Sequence, residues 1–151
     1  MNNQNRYFLQ KAVKALKELH FKPENIMVTG SIALDMQGIS NRVAHDIDLI
    51  IKMDEQTWRC MKLLEAINLA DDEAKAPKDY DSQARKRMIF LNVDGLVLNI
   101  WKYDEGTDWS EIRDEETGVY VATVNHIIEA KKKYARDKDF KDIYEIIKEL
   151  L

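Results

Sequence analysis

Apolar residues recur along this chain with two periods, and the switches between them mark its elements. Residues 5–20 have helical spacing, with Phe8, Ala12, Ala15, Leu16 and Leu19 in one stripe and Lys11, Lys14 and Lys17 facing out. Pro23 ends that pattern, because it disfavours helical geometry in the residue before it. Residues 26–29 read as a short buried strand, and residues 31–36 begin a helix whose N-terminus carries Gly30 and Ser31. Residues 38–44 form a turn or loop. Strict alternation follows over residues 46–51, with Ile47, Leu49 and Ile51 on one face and Asp46 and Asp48 on the other. Residues 54–69 are a second amphipathic helix, with Asp54 as its N-cap and Trp58, Met61, Leu64, Ile67 and Leu69 in its stripe. Residues 71–82 are polar, contain Pro77, and predict a loop.

Two strand-like runs, 88–93 and 96–103, flank Asp94-Gly95, the signature of a type I′ hairpin. Arg85, Lys86 and Arg87 lead into the first run. Residues 118–123 predict a short strand with Val119 and Val121 on one face, and residues 124–135 a helix. Asp137 then reads as the N-cap of a last helix, with Phe140, Ile143, Tyr144, Ile147 and Leu150 at core spacing. The order of elements predicts an α/β or α+β fold: a small mixed, twisted sheet of four or five strands, flanked by helices mainly on one side. A single domain over residues 1–151 is expected, with its core motif at 26–51 and a C-terminal helical segment at 124–151.

Composition narrows the classes of function. The net charge of -4 argues against a dedicated duplex nucleic-acid binder, although a local basic patch is compatible with it. One cysteine, Cys60, rules out a disulfide within the chain, and the three histidines have no metal-ligand spacing. The polar N-terminus lacks a secretory apolar run, and no stretch approaches a membrane span, which predicts a cytoplasmic protein with no membrane partner.

Two short stretches carry chemistry. Val28-Thr29-Gly30-Ser31 is a strand followed by small residues, whose backbone N–H groups can approach a phosphate. Asp46-x-Asp48 fixes two carboxylates side by side on a strand, where they repel unless a cation lies between them. Hard oxygen ligands suit Mg²⁺ or Mn²⁺. Alone, the first is an ordinary turn and the second a solvated strand edge. Together they are the minimum equipment for metal-assisted nucleotidyl transfer.

Gly30-Ser31, Arg42 and Asp46-x-Asp48-Leu49 together resemble the core motif of the DNA polymerase beta-like nucleotidyltransferase superfamily. Residues 38–49 are most similar to its small prokaryotic branch of AbiEii-type toxins, in which an Arg stands four residues before the first Asp. The tail fits that branch too, through Lys131, Arg136, Lys138, Asp139 and Asp142. The resemblance implies a nucleoside triphosphate substrate and Mg²⁺ or Mn²⁺, with transfer to a hydroxyl on a protein, an RNA or a small molecule. Gly30 and Ser31 would hold phosphates and Asp46 and Asp48 the metal. Arg42, Lys131 and Lys138 would contact the triphosphate, under a tail packed over the site.

The sequence departs from the family at one place. The third metal-binding carboxylate belongs on a later strand, and alternation there puts Val97, Asn99 and Trp101 on one face, with Asn99 at the polar position. An amide can ligate through its carbonyl oxygen, but it adds no negative charge and accepts no proton. Two other readings therefore stand beside the enzyme: a catalytically inactive relative kept as a nucleotide- or protein-binding module, and the toxin half of a toxin–antitoxin or phage-defence pair.

Overall fold

The structure is a computed structural model that describes residues 1–70 and 80–151. Most of the loop expected over 71–82, and the side chain of Leu69, lie outside what is described. The elements are α1 (Asn3–Glu18), a 3₁₀ turn (Pro23–Asn25), β1 (Ile26–Thr29), α2 (Gly30–Met36), β2 (Asp46–Ile51), α3 (Glu55–Ala70), α4 (Ser82–Lys86), β3 (Met88–Val93), β4 (Leu96–Lys102), β5 (Tyr120–Val121), α5 (Val124–Tyr134) and α6 (Asp137–Leu150).

The five strands form one mixed sheet in the order β3-β4-β2-β1-β5. β2 runs parallel to β4, with Asp48 opposite Asn99, and antiparallel to β1, with Thr29 opposite Asp48. β3 and β4 form an antiparallel hairpin. Its turn residues Asp94 and Gly95 both have positive φ, 50° and 87°, as a type I′ turn requires. Ile47, Leu49 and Ile51 are fully buried on one face of β2, in a cluster with Leu98 and Ile100 of β4 and Leu9, Val13 and Leu16 of α1. Each such side chain contributes roughly 1.5–3 kcal/mol by leaving water. No described helix is long and apolar enough to cross a membrane.

Helices flank the sheet, as expected. α1 packs on the Ile47–Leu49 face, and Tyr134 at the end of α5 stacks on Trp101, which shares the Asn99 face. Residues 82–86 are helical, capped by the Asp81 side chain, which accepts from Ala84 N–H at 2.8 Å. Arg85 and Lys86 therefore leave from a helix, and Arg87 is its C-cap.

The stripe of α3 is only partly apolar in use. Asp54 caps it as expected, accepting from Thr57 N–H at 2.7 Å, and Met61 is buried. Ile67 is exposed, whereas Glu65 is buried. The cause is the open edge of β3, whose backbone groups need partners. Glu65 accepts from Phe90 N–H at 2.5 Å, Asn68 accepts from Asn92 N–H at 3.4 Å, and Lys62 donates to Met88 C=O at 2.6 Å.

α1 buries Leu9 and Val13 beside Ala12 and Leu16, while Leu19 lies at the surface. α6 departs furthest from the expected orientation. Its N-cap is Arg136, one residue before Asp137. It buries Asp139, Asp142 and Ile146, and exposes Phe140, Tyr144, Ile147 and Leu150. Lys131 on α5 explains this, since a cation held there needs acidic partners more than it needs an apolar wall.

Candidate active site

The alternation of β2 puts Asp46 and Asp48 on the sheet face opposite the core, and parallel pairing brings Asn99 beside them. Asn99 Nδ2 donates to Asp46 Oδ2 at 2.8 Å and to Asp48 Oδ1 at 3.2 Å. One buried amide thus holds both carboxylates together. Among the described residues its Oδ1 has no hydrogen-bond partner. The turn after β1 closes on the same group. A Cβ at Gly30 would lie 2.4 Å from Asp48 Oδ2, and Gly30 has φ +66°. Glycine is the residue favoured under that carboxylate, which makes Gly30 a packing partner of Asp48. Ser31 follows, half-buried, in the first turn of the seven-residue α2.

The electrostatics follow from this crowding. Asp48 is raised to about 7, first by burial and then by the neighbouring charge of Asp46; Asn99, Lys131 and Lys138 pull it back down. A group so placed holds a proton near neutrality, and a divalent cation offers the same relief with more charge. Two carboxylates and an amide with a spare buried oxygen fit a hard cation. Among the described residues, no three His, Cys, Asp or Glu side chains converge as a metal set, because the third position is Asn99.

The cationic side is already paired. Lys131 Nζ lies 2.9 Å from Asp142 Oδ2 and 3.9 Å from Asp139 Oδ1, and Arg42 lies 3.5 Å from Asp142. Burial pushes Asp139 up, but the hydrogen bonds and charge of Arg136 outweigh it and hold its carboxyl below the usual range. Lys138 is exposed, and only its charge reaches Asp48.

No family model and no curated protein matches this sequence. Among solved structures, the crystal structure of a putative nucleotidyltransferase from Thermotoga maritima is similar, with a TM-score of 0.51 and 19% identity over 99% of this chain and 96% of that one. The chain has a nucleotidyltransferase-like fold. Within that nucleotidyltransferase-like fold, Gly30, the Asp46–Asp48 pair and Asn99 meet at the junction of β1, β2 and β4.

Two groups of side chains near the site were not singled out from the sequence, and a third was named there without its partners. Asn5 of α1 is fully buried and pins the loop that carries Arg42. Its Nδ2 donates to Arg42 C=O and to Asp35 Oδ2, both at 2.8 Å, and its Oδ1 accepts from Ala44 N–H at 2.8 Å. The signal was a polar residue four positions before Leu9, on the buried stripe of α1. Asp142 joins Arg42 to Lys131; it figured in the sequence only as part of the tail pattern. Tyr80, Trp101 and Tyr134 form an aromatic cluster beside Asn99, with ring centroids 5.1 to 5.8 Å apart and Arg136 over the Tyr80 ring. Trp101 shares its strand face with Asn99, two residues away, and that spacing was the available sign.

Proposed function

We propose that this chain binds a nucleoside triphosphate with Mg²⁺ or Mn²⁺ and transfers its nucleotidyl group to a hydroxyl. The observation that carries this reading is the convergence of Asp46, Asp48 and Asn99 within hydrogen-bond distance over a glycine whose added Cβ would press on Asp48. Asp46 and Asp48 would hold the cation, which when bound would supply positive charge beside the α-phosphate. Gly30 and Ser31 present backbone N–H groups to the phosphates. The acceptor oxygen bonds to the α-phosphorus, the bond from that phosphorus to the bridging oxygen breaks, and pyrophosphate leaves while the hydroxyl proton passes to a carboxylate or to water. Arg42 and Lys131 exchange Asp142 for the departing pyrophosphate, and Lys138 adds longer-range positive charge. The acceptor is a protein, an RNA or a small molecule.

Asn99 favours a second reading, a module that binds nucleotide without turning it over, since a neutral amide accepts no proton. Membership of the AbiEii-type branch, and a toxin role, rest on Arg42 and the Lys131–Asp142 tail; growth arrest on expression of the intact chain tests that role. For the main reading, the pure protein is incubated with each α-labelled nucleoside triphosphate, Mg²⁺ or Mn²⁺, and cell lysate as acceptor, beside an Asp46→Ala/Asp48→Ala control. Label on protein, RNA or a small molecule with the intact pair alone supports transfer. Thermal stabilisation by nucleotide and cation without label leaves the binding module. Neither label nor stabilisation overturns both.

A further inference from the structure

We propose that Asn99 limits this site to a single divalent cation, and that its amide turns from hydrogen-bond donor to cation ligand when the cation enters. The inference rests on the reading of Asp46 and Asp48 as cation ligands, and goes beyond it in stoichiometry and in the part played by Asn99. As placed, the amide nitrogen sits between the two carboxylates, 2.8 Å from one and 3.2 Å from the other. That is the region a cation shared by both carboxylates would claim. An N–H donor facing it would be repelled by the arriving charge. A half-turn of the amide exchanges the two ends and brings Oδ1 toward that region.

The rotation exchanges one unpartnered end of the amide for the other, so the arriving cation has to supply its driving force. Asn99 Oδ1 is buried and has no hydrogen-bond partner among the described residues, so turning it away from its present position breaks no hydrogen bond. The two bonds made by Nδ2 are lost, but the carboxylates that accepted them gain the cation in exchange. A buried acceptor without a partner is costly, and ligation satisfies it.

Charge sets the number of cations. Two carboxylates and a neutral amide carry at most two negative charges, which one divalent ion balances. A carboxylate at position 99 would add a third charge and a bridging ligand, and a second ion could then be held within about 4 Å of the first. The amide supplies neither.

The test titrates Mn²⁺ alone into the intact chain, counting bound ions by loss of the free-ion EPR signal, with Asp46→Ala/Asp48→Ala as the blank. The expected result is one site-specific Mn²⁺ in the wild type, binding about tenfold weaker in Asn99→Ala, and two in Asn99→Asp with the spin coupling of a close pair. Two coupled ions in the wild type overturn the one-cation limit and leave the cation reading intact. Tighter or unchanged binding in Asn99→Ala overturns the ligand role of the amide. No site-specific Mn²⁺ in the wild type overturns the cation reading itself. Should Asn99→Asp fail to fold, the wild-type count and the direction of the Asn99→Ala effect still decide.

Discussion

The two faces of β2 obey opposite rules. On one, Ile47, Leu49 and Ile51 are packed without exposure, and each works for the fold. On the other, Asp46 and Asp48 repel, one of them is raised to about 7, and an amide is needed to hold them together. Alternate residues of one strand thus supply stability and strain. The difference teaches that the second face is kept at the expense of the first, as expected where a ligand supplies the missing charge.

Five substitutions sharpen this contrast. The largest effect falls on the packed face: Leu49→Ala leaves a cavity and costs about 2–5 kcal/mol by urea unfolding. Next comes Gly30→Ala, expected to cost about 1–3 kcal/mol because its Cβ meets Asp48 and its backbone is left-handed. The same change at Gly38, which has positive φ but nothing within 4 Å of an added Cβ, should cost clearly less. Equal losses at the two glycines would show that Asp48 does not bear on Gly30.

Asp48→Asn has the opposite sign, a gain of about 1–2 kcal/mol at pH 8 without added metal. Its folded carboxyl lies above the unfolded value of 3.8, so between about 4 and 7 the native state binds more protons than the unfolded one. Stability therefore falls as pH rises through that window, and the Asn variant should lose this part of the slope. Unfolding curves across the window check both points, and a wild type as steep as the variant would break the comparison. The smallest effect belongs to the outer face of α6, where Phe140→Ser should stay within about 0.5 kcal/mol because the ring is already 55% exposed.

These contrasts follow the limits of what the sequence made legible. Period-two alternation is local, so it placed the Asp46–Asp48 pair, the Asp94-Gly95 hairpin and the polar position of Asn99. Helical stripes were harder to read, since which way a helix turns depends on what faces it. α6 turns Asp139 and Asp142 inward because Lys131 is there, and α3 turns Glu65 inward because the edge of β3 has unpaired backbone groups. α4 spans five residues, too few to show a period. The hold of Asn5 on the Arg42 loop joins residues 37 apart, which no window along the chain can show.

The strand order also has a consequence in time. The β3–β4 hairpin closes through a two-residue turn and can form within microseconds. The parallel pairing of β2 with β4 joins Asp48 to a partner 51 residues later and must wait for a long loop to close. During synthesis the Asp46–Asp48 strand leaves the ribosome well before Asn99 does. Until β4 arrives, the two carboxylates have no amide between them, and the segment that will form the site is an open, acidic strand.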